Sequence, residues 1–158
     1  MKHLIHAATL ATALAAAFVL AACGGGSDAD SEAPPTDRLP LGSAVLKLHA
    51  QPYRDDMPIA YTPGSPTCLN LIVPVQVRTV EGLVPAGVTV RAVRLRNGDE
   101  DVWRAPVADA DRGAASGTAR GCPNAKTVPG MTVRVIAELD VPAGTRQLYT
   151  DAKIEQAF

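Results

Sequence analysis

Catalysis by an activated serine or cysteine needs a nearby base, and the chain offers few bases. It contains three histidines, of which His49 alone lies beyond the first six residues. His49 falls in strand phase with Val45 and Lys47, which predicts a solvent-exposed side chain rather than a catalytic base. No Gly-x-Ser-x-Gly elbow surrounds Ser65 or Ser116. We therefore predict that the protein is not an enzyme.

Acidic residues form three short clusters that could bind calcium or supply an acid and a base. The clusters are Asp55-Asp56, Asp99-Glu100-Asp101, and Asp109 with Asp111. A hydrolase or a calcium-dependent enzyme built on these residues is one alternative function. The clusters lack the Asp-x-Asp-x-Asp-Gly spacing of a calcium loop, and Asp99 follows a tight turn where polar residues are common. We interpret the clusters as solvated turns, and predict no metal and no cofactor.

The stretch from Gln51 to Thr67 combines aromatic, charged and proline residues in a connection that is too long for a hairpin. Long, stiff loops on a rigid sheet often carry binding residues. The candidates in this stretch are Tyr53, Arg54, Asp55, Asp56 and Tyr61. A strand that crosses between two sheets would also accommodate the prolines, and both interpretations stay open. A further alternative function is an exported inhibitor that offers this loop to a protease.

The first residues have the pattern of an export signal. A basic start is followed by an apolar segment that ends at Leu20-Ala21-Ala22-Cys23. Nearly half of this segment is alanine, so it is barely hydrophobic enough for a permanent span. The last four residues resemble the lipobox that signal peptidase II recognises in bacterial lipoproteins. The resemblance implies removal of residues 1–22, a diacylglyceryl group on the sulfur of Cys23, and a fatty acyl group such as palmitate on its amine.

The same resemblance implies a protein that is lipid-anchored in the cell envelope, because two or three acyl chains bind a membrane almost permanently. Gly24 follows the cysteine, and in Gram-negative lipoproteins a residue other than Asp at this position implies the outer membrane, with the domain facing the periplasm or the cell surface. Residues 23–42 are rich in glycine, proline and acidic side chains. They predict a flexible tether.

Cys68 and Cys122 remain for the globular part. An even pair in an oxidising compartment predicts a structural disulfide. A redox or metal-binding pair is the alternative, although the sequence contains no Cys-x-x-Cys motif. Residues 43–158 carry 13 basic and 12 acidic side chains, a balance that does not indicate a nucleic acid partner. We interpret the excess of arginine over lysine as a compositional bias without function.

Apolar and polar residues alternate along most of residues 43–158, as in half-buried strands. The longest alternating runs extend from Leu69 to Val77 and from Met131 to Leu139. Asn97-Gly98 predicts a hairpin. A slip in the alternation between Val90 and Val93 predicts a β-bulge, and Pro74 predicts an edge strand, a bulge or two shorter strands.

These signals predict an all-β fold, an antiparallel immunoglobulin-like β-sandwich of about seven strands with one disulfide. A small β-barrel is the alternative. The immunoglobulin signature is incomplete, because Arg120 stands where the tyrosine corner is expected, and we expect Trp103 to fill the core. The predicted function is a non-enzymatic module that binds another envelope protein or a cell-wall component, through sheet edges or through the Tyr53 to Tyr61 stretch.

Overall fold

The computed structural model describes residues 33–57 and 70–158, which form ten β-strands and no helix. Seven strands have six residues or more, in agreement with the predicted number, and three have only three residues. In chain order they are β1 (Leu39–Leu41), β2 (Ala44–Ala50), β3 (Tyr53–Asp55), β4 (Leu71–Thr79), β5 (Thr89–Asn97), β6 (Glu100–Gly113), β7 (Ser116–Gly121), β8 (Thr132–Val141), β9 (Gly144–Lys153) and β10 (Glu155–Ala157). The all-β prediction is confirmed. The described part of the chain has no helix that could span a bilayer.

The strands form one sheet in the order β1-β2-β4-β7-β6-β5-β8-β9, and neighbours in this order are antiparallel. β3 lies beside β4 and pairs in parallel with β10. Thr36, just before β1, exchanges backbone hydrogen bonds with Gln147 and Tyr149 of β9. The sheet is nearly barrel-shaped, which agrees with the predicted sandwich and with the barrel alternative.

β6 is shared by the two halves of the sheet. It pairs with β5 as far as Pro106, and from Val107 onward it pairs with β7. The two neighbouring strands β5 and β6 therefore separate after Pro106. A groove lies at this point, lined on the β5 side by Arg91 and Ala92 and on the β6 side by Arg104, Ala105 and Pro106.

The core lies between the inward faces of the two halves of the sheet. Its fully buried leucines are Leu46, Leu71, Leu95, Leu139 and Leu148. Burial of such a side chain stabilises the fold by about 1.5–3 kcal/mol. Trp103 is 8% exposed and belongs to this core, as predicted. Its indole Nε1 donates a hydrogen bond to the backbone oxygen of Cys122, at 3.2 Å.

Two predicted backbone features are confirmed. Asn97-Gly98 joins β5 to β6, and Gly98 has the positive φ of 58° that this turn requires. The register between β5 and β8 shifts between Val90 and Ala92, which is the predicted bulge. The bulge places both Arg91 and Ala92 outside the main core cluster, where they line the groove.

The prediction for Pro74 is wrong, because β4 is continuous and lies between β2 and β7 without a register shift. The Pro74 carbonyl accepts a hydrogen bond from the Gln51 backbone at 3.1 Å, where the chain passes from β2 to β3. In an antiparallel ladder, the amide and the carbonyl of one residue face the same neighbour. Pro74 lacks an amide hydrogen, and its nitrogen faces the gap between the end of β2 and the start of β3. No ladder hydrogen bond from this position is needed there.

The sheet begins earlier than residue 43, the start of the predicted domain. Leu39 and Leu41 lie in β1, and both pack on the core. They are the first apolar side chains after the acidic and proline-rich segment. The end of the predicted tether, residues 23–42, therefore contributes a short strand.

Gly121 in β7 has no room for a larger residue. A Cβ atom there would lie 2.9 Å from Cζ2 of Trp103. We expect Gly121→Ala to lower the free energy of unfolding by about 1–3 kcal/mol, measured by urea denaturation followed by circular dichroism. Trp103→Phe removes the indole atoms involved, so the cost of Gly121→Ala should shrink in that background. Equal costs in both backgrounds would contradict the contact.

Candidate functional site

The structure brings together only part of the predicted binding stretch. Tyr53, Arg54 and Asp55 form strand β3 instead of a loop, and their side chains are half-buried. Of the two interpretations left open, the strand applies to these three residues, which pair with β4 and β10. Asp56 follows β3 and accepts hydrogen bonds from Arg54 Nε at 2.9 Å and from Gln156 Nε2 at 3.0 Å. Tyr61 lies outside the described residues.

Two of the three cysteines, Cys23 and Cys68, also lie outside the described residues. Cys122 directly follows β7. The ladder between β4 and β7 pairs Leu71 with Gly121, so Asn70 is the next residue along β4 in the direction of Cys122. The Cys68–Cys122 disulfide stays a prediction, and Asn70 is only two residues from Cys68.

The acidic clusters are paired with basic side chains. The pairs are Arg54–Asp56, Arg96–Asp101, Lys126–Glu100, Arg112–Asp109 and Arg120–Asp111. Within residues 33–57 and 70–158, no group of three or more histidine, cysteine or acidic side chains could hold a metal ion. His49 is exposed, as predicted.

A polar site that was not predicted from the sequence lies on the outer face of β5, β6, β8 and β9. Glu138 of β8 alternates with core residues and points to this outer face, yet its side chain is only 2% exposed. Arg104 holds both carboxylate oxygens, with Nε 3.0 Å from Oε1 and Nη2 2.8 Å from Oε2. Arg91 donates from Nη2 to Oε2 at 3.5 Å. The carboxylate thus lies beneath two guanidinium groups that line the groove.

Arg94 extends this site across the face. Its Nη2 donates to Oε1 of the buried Gln147 at 3.0 Å. Arg94 and Arg96 both approach the carboxylate of Asp101, at 3.5 and 3.1 Å. The side chains on β5 are therefore linked to β6 on one side and to β9 on the other.

Arg134 forms the far end of the face. Its Nε donates to Asp151 at 2.9 Å, and its guanidinium carbon lies 4.2 Å from the centroid of the Tyr149 ring. Such a cation–π contact helps to fix the orientation of the guanidinium group over the ring. Ile136, between Arg134 and Glu138 on the same face, is fully buried. The long arginine stems can cover such an apolar side chain while their charged ends remain in water.

The pKa of Glu138 lies below its ordinary value. Burial acts to raise this pKa, but the hydrogen bond from Arg104 and the positive charges of Arg104, Arg91 and Arg94 outweigh it. The group is therefore ionised at neutral pH.

The face carries more positive than negative charge. Five arginines of this network (Arg91, Arg94, Arg96, Arg104 and Arg134) share three carboxylates (Asp101, Glu138 and Asp151), so the excess is 5 − 3 = +2. Cross-strand register even pairs Arg94 with Arg104 and Arg96 with Arg134. Like charges that face each other directly destabilise a sheet, and here the carboxylates of Asp101, Glu138 and Asp151 offset the repulsion.

The chemistry that this face supports is anion binding, because oriented guanidinium groups form strong, paired hydrogen bonds with carboxylates and phosphates. No family model, curated protein or solved structure matches the chain. The functional conclusion therefore depends on the geometry of the face. The sequence signal for this face is the density of arginine in β5, where Arg91, Arg94 and Arg96 fall within six residues. The face shows that these arginines are more than a compositional bias, because their side chains join one ion-pair network.

Proposed function

We propose that the protein is a lipoprotein anchored in the bacterial outer membrane, and that its β domain is a non-enzymatic module that binds another envelope protein or a cell-wall component. The lipobox resemblance of Leu20-Ala21-Ala22-Cys23 supports the anchor. The arginine face over Glu138 is the observation that carries the binding role.

The energetics of Glu138 support a role beyond folding. Removal of a carboxylate from water costs several kcal/mol, and replacing a buried ion pair by apolar side chains of similar volume is often neutral or stabilising. A domain selected only for stability would gain little from Glu138 at this position. A surface that must hold arginines in fixed positions for a partner would gain from it, because Glu138 orients Arg104 through two hydrogen bonds.

Photo-crosslinking in living cells tests the binding role. A photoreactive amino acid is placed at Tyr53 in β3, at Pro106 on the groove, or at His49, an exposed control position on β2. We expect one reproducible envelope partner from Tyr53 or Pro106, and none from His49. If neither Tyr53 nor Pro106 yields a partner while circular dichroism shows a folded domain, the binding role is wrong.

A further inference from the structure

We infer that the groove where β6 leaves β5 binds carboxylate side chains of an acidic protein segment, held by Arg91 and Arg104. This inference rests on the proposed function, because it specifies the chemistry of the partner. The groove has a volume of about 760 Å³ and opens to solvent. Ala92 and Pro106 supply a small, apolar lining beside the two arginines, which suits the backbone and aliphatic stem of a Glu or Asp residue.

The arginines are held in position before any ligand arrives. The fork formed by Arg104 Nε and Nη2 is fixed on the two oxygens of Glu138, and Arg91 reaches one of the same oxygens. The Arg104 and Arg91 side chains remain 61% and 49% exposed. A partner therefore meets guanidinium groups whose conformational freedom is already reduced, and this pre-organisation favours binding.

The charge distribution favours a short acidic segment over an extended polyanion. Residues 43–158 as a whole are almost neutral, with 13 basic and 12 acidic side chains. A nucleic acid or an anionic membrane is attracted by a broad basic surface. Here the five arginines and three carboxylates of the network leave an excess of two positive charges, which matches one or two carboxylates. Guanidinium–carboxylate pairing is also the chemistry that Arg104 already shows with Glu138.

The groove also has the form that an extended peptide needs. β6 turns away from β5 after Pro106 to pair with β7. The first residues of β5, before Ala92, are therefore not paired with β6 in this ladder. Extended segments commonly dock along such openings, where side-chain pockets provide the specificity. An acidic side chain beside Arg91 would then lie at the end of the β5–β6 ladder.

A binding measurement on the lipidated protein in neutral detergent tests the inference. The probe is a fluorescein-labelled peptide of five Glu-Ala repeats, followed by fluorescence anisotropy. We expect Arg91→Gln to weaken binding about fivefold, since one charged hydrogen-bond donor is lost from the groove. The matched control is Arg78→Gln, which removes the same charge from an exposed arginine on β4. It should change the affinity by less than about twofold.

Glu138→Gln separates oriented binding from simple attraction. This change makes the face more positive, so attraction by net charge alone would strengthen peptide binding. It also removes the carboxylate that holds Arg104 and Arg91, so we expect weaker binding instead. Circular dichroism verifies that the variant is folded, and Arg91→Gln provides the test if it is not.

Two results would overturn the inference. One is an equal loss of affinity in Arg91→Gln and Arg78→Gln. The other is absence of peptide binding, including the case in which vesicles containing phosphatidylglycerol bind in an Arg91-dependent way. Either result would overturn carboxylate binding by the groove. The proposed binding role would still stand if the Tyr53 probe captures an envelope partner, so the crosslinking experiment separates the failure of the groove from the failure of the proposed function.

Discussion

Replacing Cys68 and Cys122 together by alanine should lower the free energy of unfolding by about 4 kcal/mol, because the predicted disulfide would close a loop of roughly 55 residues in the unfolded chain. The β4–β7 ladder pairs Leu71 with Gly121, so Asn70, two residues from Cys68, continues β4 beside Cys122. The chain has one tryptophan, the buried Trp103. Its fluorescence during urea denaturation reports unfolding.

Reduction provides the control for this effect. A reductant should lower the stability of the unchanged protein to that of the double variant, and should leave the double variant unaffected. Two free thiols titrated in the unfolded, unreduced protein, with no response of stability to reductant, would show that the disulfide is absent.

Arg104→Met should destabilise the domain by about 2–3 kcal/mol at neutral pH. The buried carboxylate of Glu138 would lose both hydrogen bonds from Arg104 and keep a single guanidinium contact, that of Arg91 at 3.5 Å. Loss of one partner from a buried pair typically costs about 3–5 kcal/mol, and the exposure of Arg104 reduces this cost. Adding Glu138→Gln removes the buried charge, and we expect part of the stability to return. Arg78→Met is the matched control, with an effect within about 0.5 kcal/mol.

The Arg104→Met effect should depend on pH in a defined direction. The folded pKa of Glu138 lies below its ordinary value, so its ion pairs stabilise the fold above the unfolded pKa. This contribution is lost as the pH falls through the folded pKa. The difference between the unchanged protein and Arg104→Met should therefore be largest near neutrality and shrink in acid, as Glu138 becomes protonated. A difference that is constant across this range would show that lost packing, rather than the charge of Glu138, causes the effect.

The longer strands were predictable from the sequence, whereas the short ones were not. Alternation over nine or ten residues identifies β4 and β8 because one face of each is buried. A three-residue strand such as β3 shows too few alternations to be distinguished from a loop. Its position depends on pairing with β4 and β10, which are distant in sequence.

The arginine face illustrates a different limit of prediction. Alternation along β8 places Glu138 and Arg134 opposite the core residues of that strand. It does not show that Glu138 is buried beneath Arg91 and Arg104, because these residues come from three strands. Strand order and register bring them together, and neither is encoded in a local pattern. Pro74 shows the same limit, since its effect on the ladder depends on where β2 ends and β3 begins.

Intact mass spectrometry of the protein extracted from outer membranes tests the proposed anchoring most directly. We expect a chain that begins at Cys23 and carries a diacylglyceryl group and an amide-linked acyl group, and we expect Cys23→Ala to lack both lipids. Cys68→Ala, which removes a different cysteine, should retain them. A chain that keeps residues 1–22, or that begins elsewhere without lipid, would contradict the assignment of this protein as an outer-membrane lipoprotein.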